Sequence, residues 1–180
     1  MKTYNLIKVL GARSVNLRKL KKPMALFISI LFIVSTLSVF GHSEFAAATL
    51  TQVAVSSATA SSYSGTHTPS QAIDGTPSTS NYWGTTSSLG LPQWLELDLG
   101  IQTSISEIVT HFYDGDSRVY TYYIQVSSDG STWTTVVPTK TGSSIVTDTF
   151  TPVACRYIQI VVTGNTANTA AHIEQVTIYQ

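Results

Sequence analysis

Residues 49–180 predict an all-β sandwich, on three observations. The segment is rich in Thr, Ser, Val, Ile and Tyr, which suit a pleated surface. Runs with alternating polar and apolar residues recur along it. Gly-, Pro-, Asn- and Asp-containing turn signals separate those runs. In chain order, "PSQAI" (69–73) offers a single helical turn, the one helix candidate. "QWLELDLG" alternates cleanly, with Leu95, Leu97 and Leu99 on one face and Trp94, Glu96 and Asp98 on the other. "ISEIVTHFY" puts Ile105, Glu107, Val109, His111 and Tyr113 on one face of mixed polarity. "VYTYYIQVSSDG" gathers Tyr120, Tyr122, Ile124 and Val126, and Asp129-Gly130 then turns the chain into "STWTTVV". "SIVTDTF", "CRYIQIVVTG" and "HIEQVTIY" follow, which makes about eight short strands. No internal repeat or linker divides the segment, and it is long enough to build a core without staples. Cys155 is the only cysteine, so an intrachain disulfide is ruled out and a small buried residue is expected there.

The N-terminal 48 residues have a different composition. Lys2, Lys8, Arg13, Arg18, Lys19, Lys21 and Lys22 lie in a stretch without acids, and the uncharged run "MALFISILFIVSTLSVF" (24–40) follows. Ala46, Ala47 and Ala48 then supply a small-residue cleavage pattern. Basic head, apolar middle and small-residue exit predict a signal peptide over 1–48, cleaved near Ala48, and a secreted, extracellular product. The rival is an uncleaved anchor that would retain the protein at the cell surface, although the run is short for a hydrocarbon core of about 30 Å. The whole chain balances 10 basic against 10 acidic residues. From residue 49 onward only Arg118, Lys140 and Arg156 oppose nine acids, a net of −6. A domain of that charge without a basic stripe lacks the phosphate-neutralising term that drives nucleic-acid binding.

Catalytic signatures are missing from the sequence. There is no Gly-x-Ser-x-Gly elbow, His-x-x-x-His pair or Cys-x-x-Cys. Glu96 and Asp98 stand roughly 7 Å apart along a strand, within range of an inverting carboxylate pair, but alternate acids on a strand face more often form a solvated surface. His67, His111 and His172 are scattered in sequence and read as loop or surface histidines. The sequence therefore predicts no enzyme.

Binding has better support. In "QAIDGTPSTSNYW" (71–83), Asp74 supplies a carboxylate, Gly75 a bend, and Thr76, Ser78 and Thr79 hydroxyl oxygens. Calcium takes six to eight oxygens, so a second carboxylate from elsewhere would be required.

Taken in order, "AIDGTPSTSNYWGT", "PQWLELDLG", "YYIQVSSDGSTW", "CRYIQIVVTG" and "HIEQVTIY" resemble the coagulation factor V/VIII type C (discoidin) domain family. The likeness is greatest to its family 32 carbohydrate-binding modules and covers essentially all of residues 50–180. It implies an eight-stranded, galactose-binding-like jelly-roll sandwich with binding loops at one end. It also implies a structural Ca2+ held by Asp74, Thr76, Thr79 and Glu174, with backbone carbonyls near Gln71 and Ile173. Galactose-binding relatives place a histidine where this chain has Ser80, an aromatic at Trp83, and an arginine plus asparagine in a later loop. Here that loop is "HFYDGDSR", without Asn, which puts galactose specificity in doubt.

A sugar site needs an aromatic plate and convergent polar groups. Tyr82, Trp83, His111, Tyr113, Asp114, Arg118, Asn165 and Asn168 are the candidates. Trp83 fits a core position equally well, and Arg118 could pair with Asp114 or Asp116 at the loop base. The expectation is a secreted, non-catalytic lectin-like module that binds cell-surface or matrix glycans. The alternative is a cell-adhesion module of the discoidin type that recognises protein or phospholipid. Its polar loop tips and negative charge argue against membrane lipid.

Overall fold

The computed structural model describes residues 49–180, so the predicted leader and its cleavage site lie outside the described residues. Residues 49–180 fold as an antiparallel all-β sandwich of eight strands. In order they are β1 (Gln52–Val53), β2 (Ser57–Ala60), β3 (Trp83–Gly84), β4 (Gln93–Phe112), β5 (Tyr120–Ser127), β6 (Thr134–Gly142), β7 (Ile145–Asn165) and β8 (His172–Tyr179). A 3-10 turn over Pro69–Ile73 stands where the sequence predicts its single helical turn, and a second, over Ser87–Leu89, stands where it predicts none.

The strands are not uniformly short. β4 spans 20 residues and β7 spans 21, and each takes part in both layers. One layer is β2, the first half of β4, the second half of β7, then β5 and β6, as in the pairs Ala58–Leu97, Leu97–Ile158 and Ile124–Ile160. The other contains β8, the second half of β4 and the first half of β7, as in Ile108–Ile178 and Val109–Thr147. β1 and β3 both pair with β8, at its opposite ends. At the β1 end, Thr51 and Gln180 exchange two backbone hydrogen bonds of 3.0 Å each.

The predicted apolar faces meet between the layers. Leu95, Leu97, Tyr122, Ile124, Ile158 and Ile160 share one buried cluster with Ile108, Phe112, Ile173, Val176 and Ile178. Each such side chain contributes about 1.5–3 kcal/mol by leaving water. Cys155 is buried, and burial pushes its thiol up to about 11.

The mixed face predicted for Ile105–Tyr113 is corrected by a register shift between Ile105 and Glu107. The extra residue rephases the alternation. Ile105 therefore points inward with Ile108, Thr110 and Phe112, while Glu107, Val109 and His111 stay half-buried on the outside.

Candidate functional site

At the His172 end of β8, four half-buried side chains from three segments form a stack. The His67 ring lies on Tyr82 with centroids 4.0 Å apart and planes at 17°. Tyr82 packs on Tyr113 at 4.3 Å, and the Arg118 guanidinium lies over Tyr113 at 4.8 Å from its centroid. Stacked rings and a cation over a ring face are each mildly attractive. His172 stands behind them, edge-on to Tyr82 at 5.8 Å and 5.4 Å from Tyr113.

Local backbone pairing builds this arrangement. β3 pairs Gly84 with His172, and Gly84 leaves room for two rings. A Cβ there would lie 2.7 Å from the Tyr82 Cε2 and 3.0 Å from the His172 Cδ2. The His67 turn is fastened to β3 by Ser64 N–H to Gly84 O, at 2.8 Å, and by Gly84 N–H to His67 O, at 3.3 Å. Tyr113 is held by the buried Tyr120, whose hydroxyl donates to its carbonyl at 3.0 Å. After Tyr113 the chain turns at Asp114, whose φ of 53° is left-handed. Ser117 and Arg118 N–H groups both donate to the Asp114 carbonyl, and Arg118 Nε lies 3.2 Å from Asp114 Oδ2.

Electrostatically the site sets the Arg118–Asp114 ion pair beside aromatic rings. Burial, then the nearby Arg118 and His67, bring His172 down to about 4. It is therefore uncharged near neutral pH, with Nδ1 3.4 Å from the Tyr120 hydroxyl. Burial raises Tyr120 to about 12 and also raises Tyr82, whose hydroxyl is close to that of Tyr113. His67 Nδ1 is buried without a hydrogen-bond partner among the described residues.

Of the sequence-predicted ligand residues, Tyr82, Tyr113, Asp114 and Arg118 come together. Trp83 does not join them. It is fully buried in the core, and its indole N–H donates to Ser62 O at 2.9 Å. Asn165 and Asn168 are spent on their own loop: Asn165 Nδ2 donates to Asn168 Oδ1 and to Ala170 O, both at 2.9 Å. His111 lies on the outer side of β4 and lines a groove of about 590 Å3 with Ile73, Gly75, Pro77, Gln175 and Tyr179. The sequence predicts His67 and His172 as separate loop or surface histidines, yet His67 joins the stack and the buried His172 backs it. Tyr63, 55% exposed at the tip beside the His67 turn, also escaped the sequence reading.

The donor set at the predicted ion loop does not fit calcium. Asp74 is present and exposed, but one of its oxygens accepts from Thr76 N–H at 2.9 Å and the other from the Asn81 side-chain amide. Thr76 and Thr79 are exposed, Gln71 lies in the 3-10 turn, and the Ile173 backbone, expected to offer a carbonyl, is paired in the sheet with Trp83 and Phe112. Glu174 is the unpaired residue of a bulge, since His111 pairs with Gln175 and Phe112 with Ile173. Its carboxyl faces the Asp114 N–H and His111, and burial raises its pKa. The side chain that reaches the loop is the neutral Gln175, which accepts from Gly75 N–H at 3.1 Å. The loop therefore offers one carboxylate, where calcium affinity depends on ligand charge count.

Glu96 and Asp98 are tied to the neighbouring strand. Gln159 donates to Glu96 at 2.7 Å, and Arg156 grips both oxygens of Asp98 at 2.8 and 2.9 Å. Lys140 pairs with Asp148 at 2.7 Å, so each basic side chain of residues 49–180 has an acidic partner.

Residues 57–176 match the family model described as F5/8 type C domain. Among solved structures, the family 32 carbohydrate-binding module of AlyQ in complex with 4,5-unsaturated mannuronic acid is 30% identical, with a TM-score of 0.64 over 71% of this chain and 97% of that one. A pectin-binding module is 26% identical, with a TM-score of 0.63 over 69% and 89%. The family 32 module of C. perfringens NanJ in complex with galactose is 25% identical, with a TM-score of 0.64 over 73% and 100%. Among curated proteins, human BTB/POZ domain-containing protein 9 is 38% identical over 84 residues, which are 44% of this chain and 13% of that protein.

Proposed function

The chain belongs to the F5/8 type C domain family, and on that premise we propose that it is a secreted, non-catalytic module that binds extracellular or cell-surface glycans. The observation that carries this reading is the His67–Tyr82–Tyr113–Arg118 stack at the loop end of the sandwich. Ring edges and phenol hydroxyls suit the mixed apolar and hydroxylated surface of a sugar. Arg118 adds a donor fork that pairs with hydroxyls or with a sugar carboxylate. Similarity to modules solved with mannuronic acid and with galactose supports a carbohydrate ligand, and makes uronic-acid polymers and galactosides the first two sugar classes to compare.

A glycan array with both classes tests the proposal. Binding by the wild type, lost in Tyr113→Ala and Arg118→Ala, is the expected result; an array without signal would sink it.

The discoidin-type alternative has one observation in its favour. Tyr63, Leu89 and Val119 are 55%, 57% and 41% exposed on loops or at loop–strand joints. Insertion into an anionic membrane also needs basic support, and the net charge of −6 over residues 49–180 opposes it. Sedimentation with phosphatidylserine vesicles should leave the protein in the supernatant.

A further inference from the structure

The loop from Asp74 to Asn81 is fastened at three points, each a hydrogen bond to a side chain. Gly75 N–H donates to Gln175 Oε1 across 100 positions of sequence, at 3.1 Å. Gln175 is itself fixed, 6% exposed, with its Nε2 donating to Val176 O at 3.1 Å. At the far end, the Asn81 side chain donates to Asp74, whose other oxygen takes the Thr76 N–H. N–H donors therefore stand against the carboxylate where a calcium site would place the ion. Asn81 directly precedes Tyr82, so the fastening also sets where that ring enters the stack.

We propose that these contacts form a latch that closes the loop onto β8 without a divalent cation. The charge count carries this. A calcium loop concentrates carboxylates, whereas here a neutral amide occupies the position that touches the loop and the adjacent acid, Glu174, is turned toward His111 and Asp114. The buried amide is satisfied at both ends, which favours a direct hydrogen bond over a ligand role. The inference is independent of what the stack binds.

Thermal melts of the full chain in calcium chloride and in EDTA test it without any sugar. Wild type should melt at the same temperature in both. Gln175→Ala should melt several degrees lower in both, because Gly75 N–H loses its partner. Gln175→Glu supplies a second carboxylate and should acquire a melt that rises with calcium. If Gln175→Ala fails to fold, Asn81→Ala, at a half-buried position, should give the smaller, calcium-independent loss. A wild-type melt raised by calcium overturns the latch, as does a Gln175→Ala melt equal to wild type. A Gln175→Glu protein that stays indifferent to calcium overturns the charge-count argument.

Discussion

At Gly84 the space, and not the backbone dihedral, requires glycine, because Tyr82 and His172 close over the position a Cβ would take. Gly84→Ala must push the Tyr82 ring out of its place between His67 and Tyr113. The expected cost is about 1–3 kcal/mol in denaturant unfolding. Glycan affinity should fall about tenfold, some 1.4 kcal/mol, by calorimetry. The neighbouring pair Tyr82-Trp83 marks a limit of sequence reading at this scale. Tyr82 directly precedes β3 and Trp83 opens it; successive residues of extended chain point opposite ways, so one had to be core and the other surface, but the sequence holds nothing that says which. The β3–β8 register decides it, sending Trp83 inward and leaving Tyr82 to the stack.

Among elements, regular alternation was legible and its interruptions were not. Leu95, Leu97 and Leu99 read correctly because the first half of β4 is unbroken. Ile105 faces Ile108 and not Glu107 and Val109, as strict alternation would have it, and the shift before Glu107 has no Gly or Pro to announce it. The same blindness affects Glu174: the bulge opposite His111–Phe112 leaves it unpaired, and the adjacent Gln175 takes up the contact with the ion-loop glycine. Loops can be tested in the same terms. The Asp114–Arg118 turn is seated on the turn before β7, with Phe112 N–H donating to Ser144 O at 2.8 Å. A Cβ on Gly115 would stand 1.9 Å from Ser144 N, and backbone cannot step aside as a side chain can. Gly115→Ala should therefore lower stability by about 1–3 kcal/mol and displace Arg118, weakening glycan binding more than Gly84→Ala does.

For the whole molecule, acid sensitivity follows from His172. Its folded pKa of about 4 lies below the usual 6.5. Above pH 6.5 neither state is protonated there and stability is intact. As pH falls from 6.5 to 4 the unfolded chain takes a proton that the folded one refuses, so stability declines, by the order of 3 kcal/mol across the window. Urea titrations at stepped pH should show that decline, flattened in His172→Gln. The stack as a whole was beyond the sequence for a related reason. His67, Tyr82, Tyr113 and His172 are spread over more than a hundred positions, and only the pairing of β3 with β8 and the turn after β4 bring them to one place.

The two backbone bonds between Thr51 and Gln180 also govern how the module can be displayed. They sit at the Tyr179 end of β8, and the stack sits at the His172 end, about 23 Å away at the usual rise per residue. Cargo joined ahead of Thr51 and cargo joined behind Gln180 would leave by the same corner, so the fold works like a plug with both wires at its base. Immobilised through either end, it should present the Tyr113–Arg118 face outward, and capture of a soluble glycan should be equal for the two orientations.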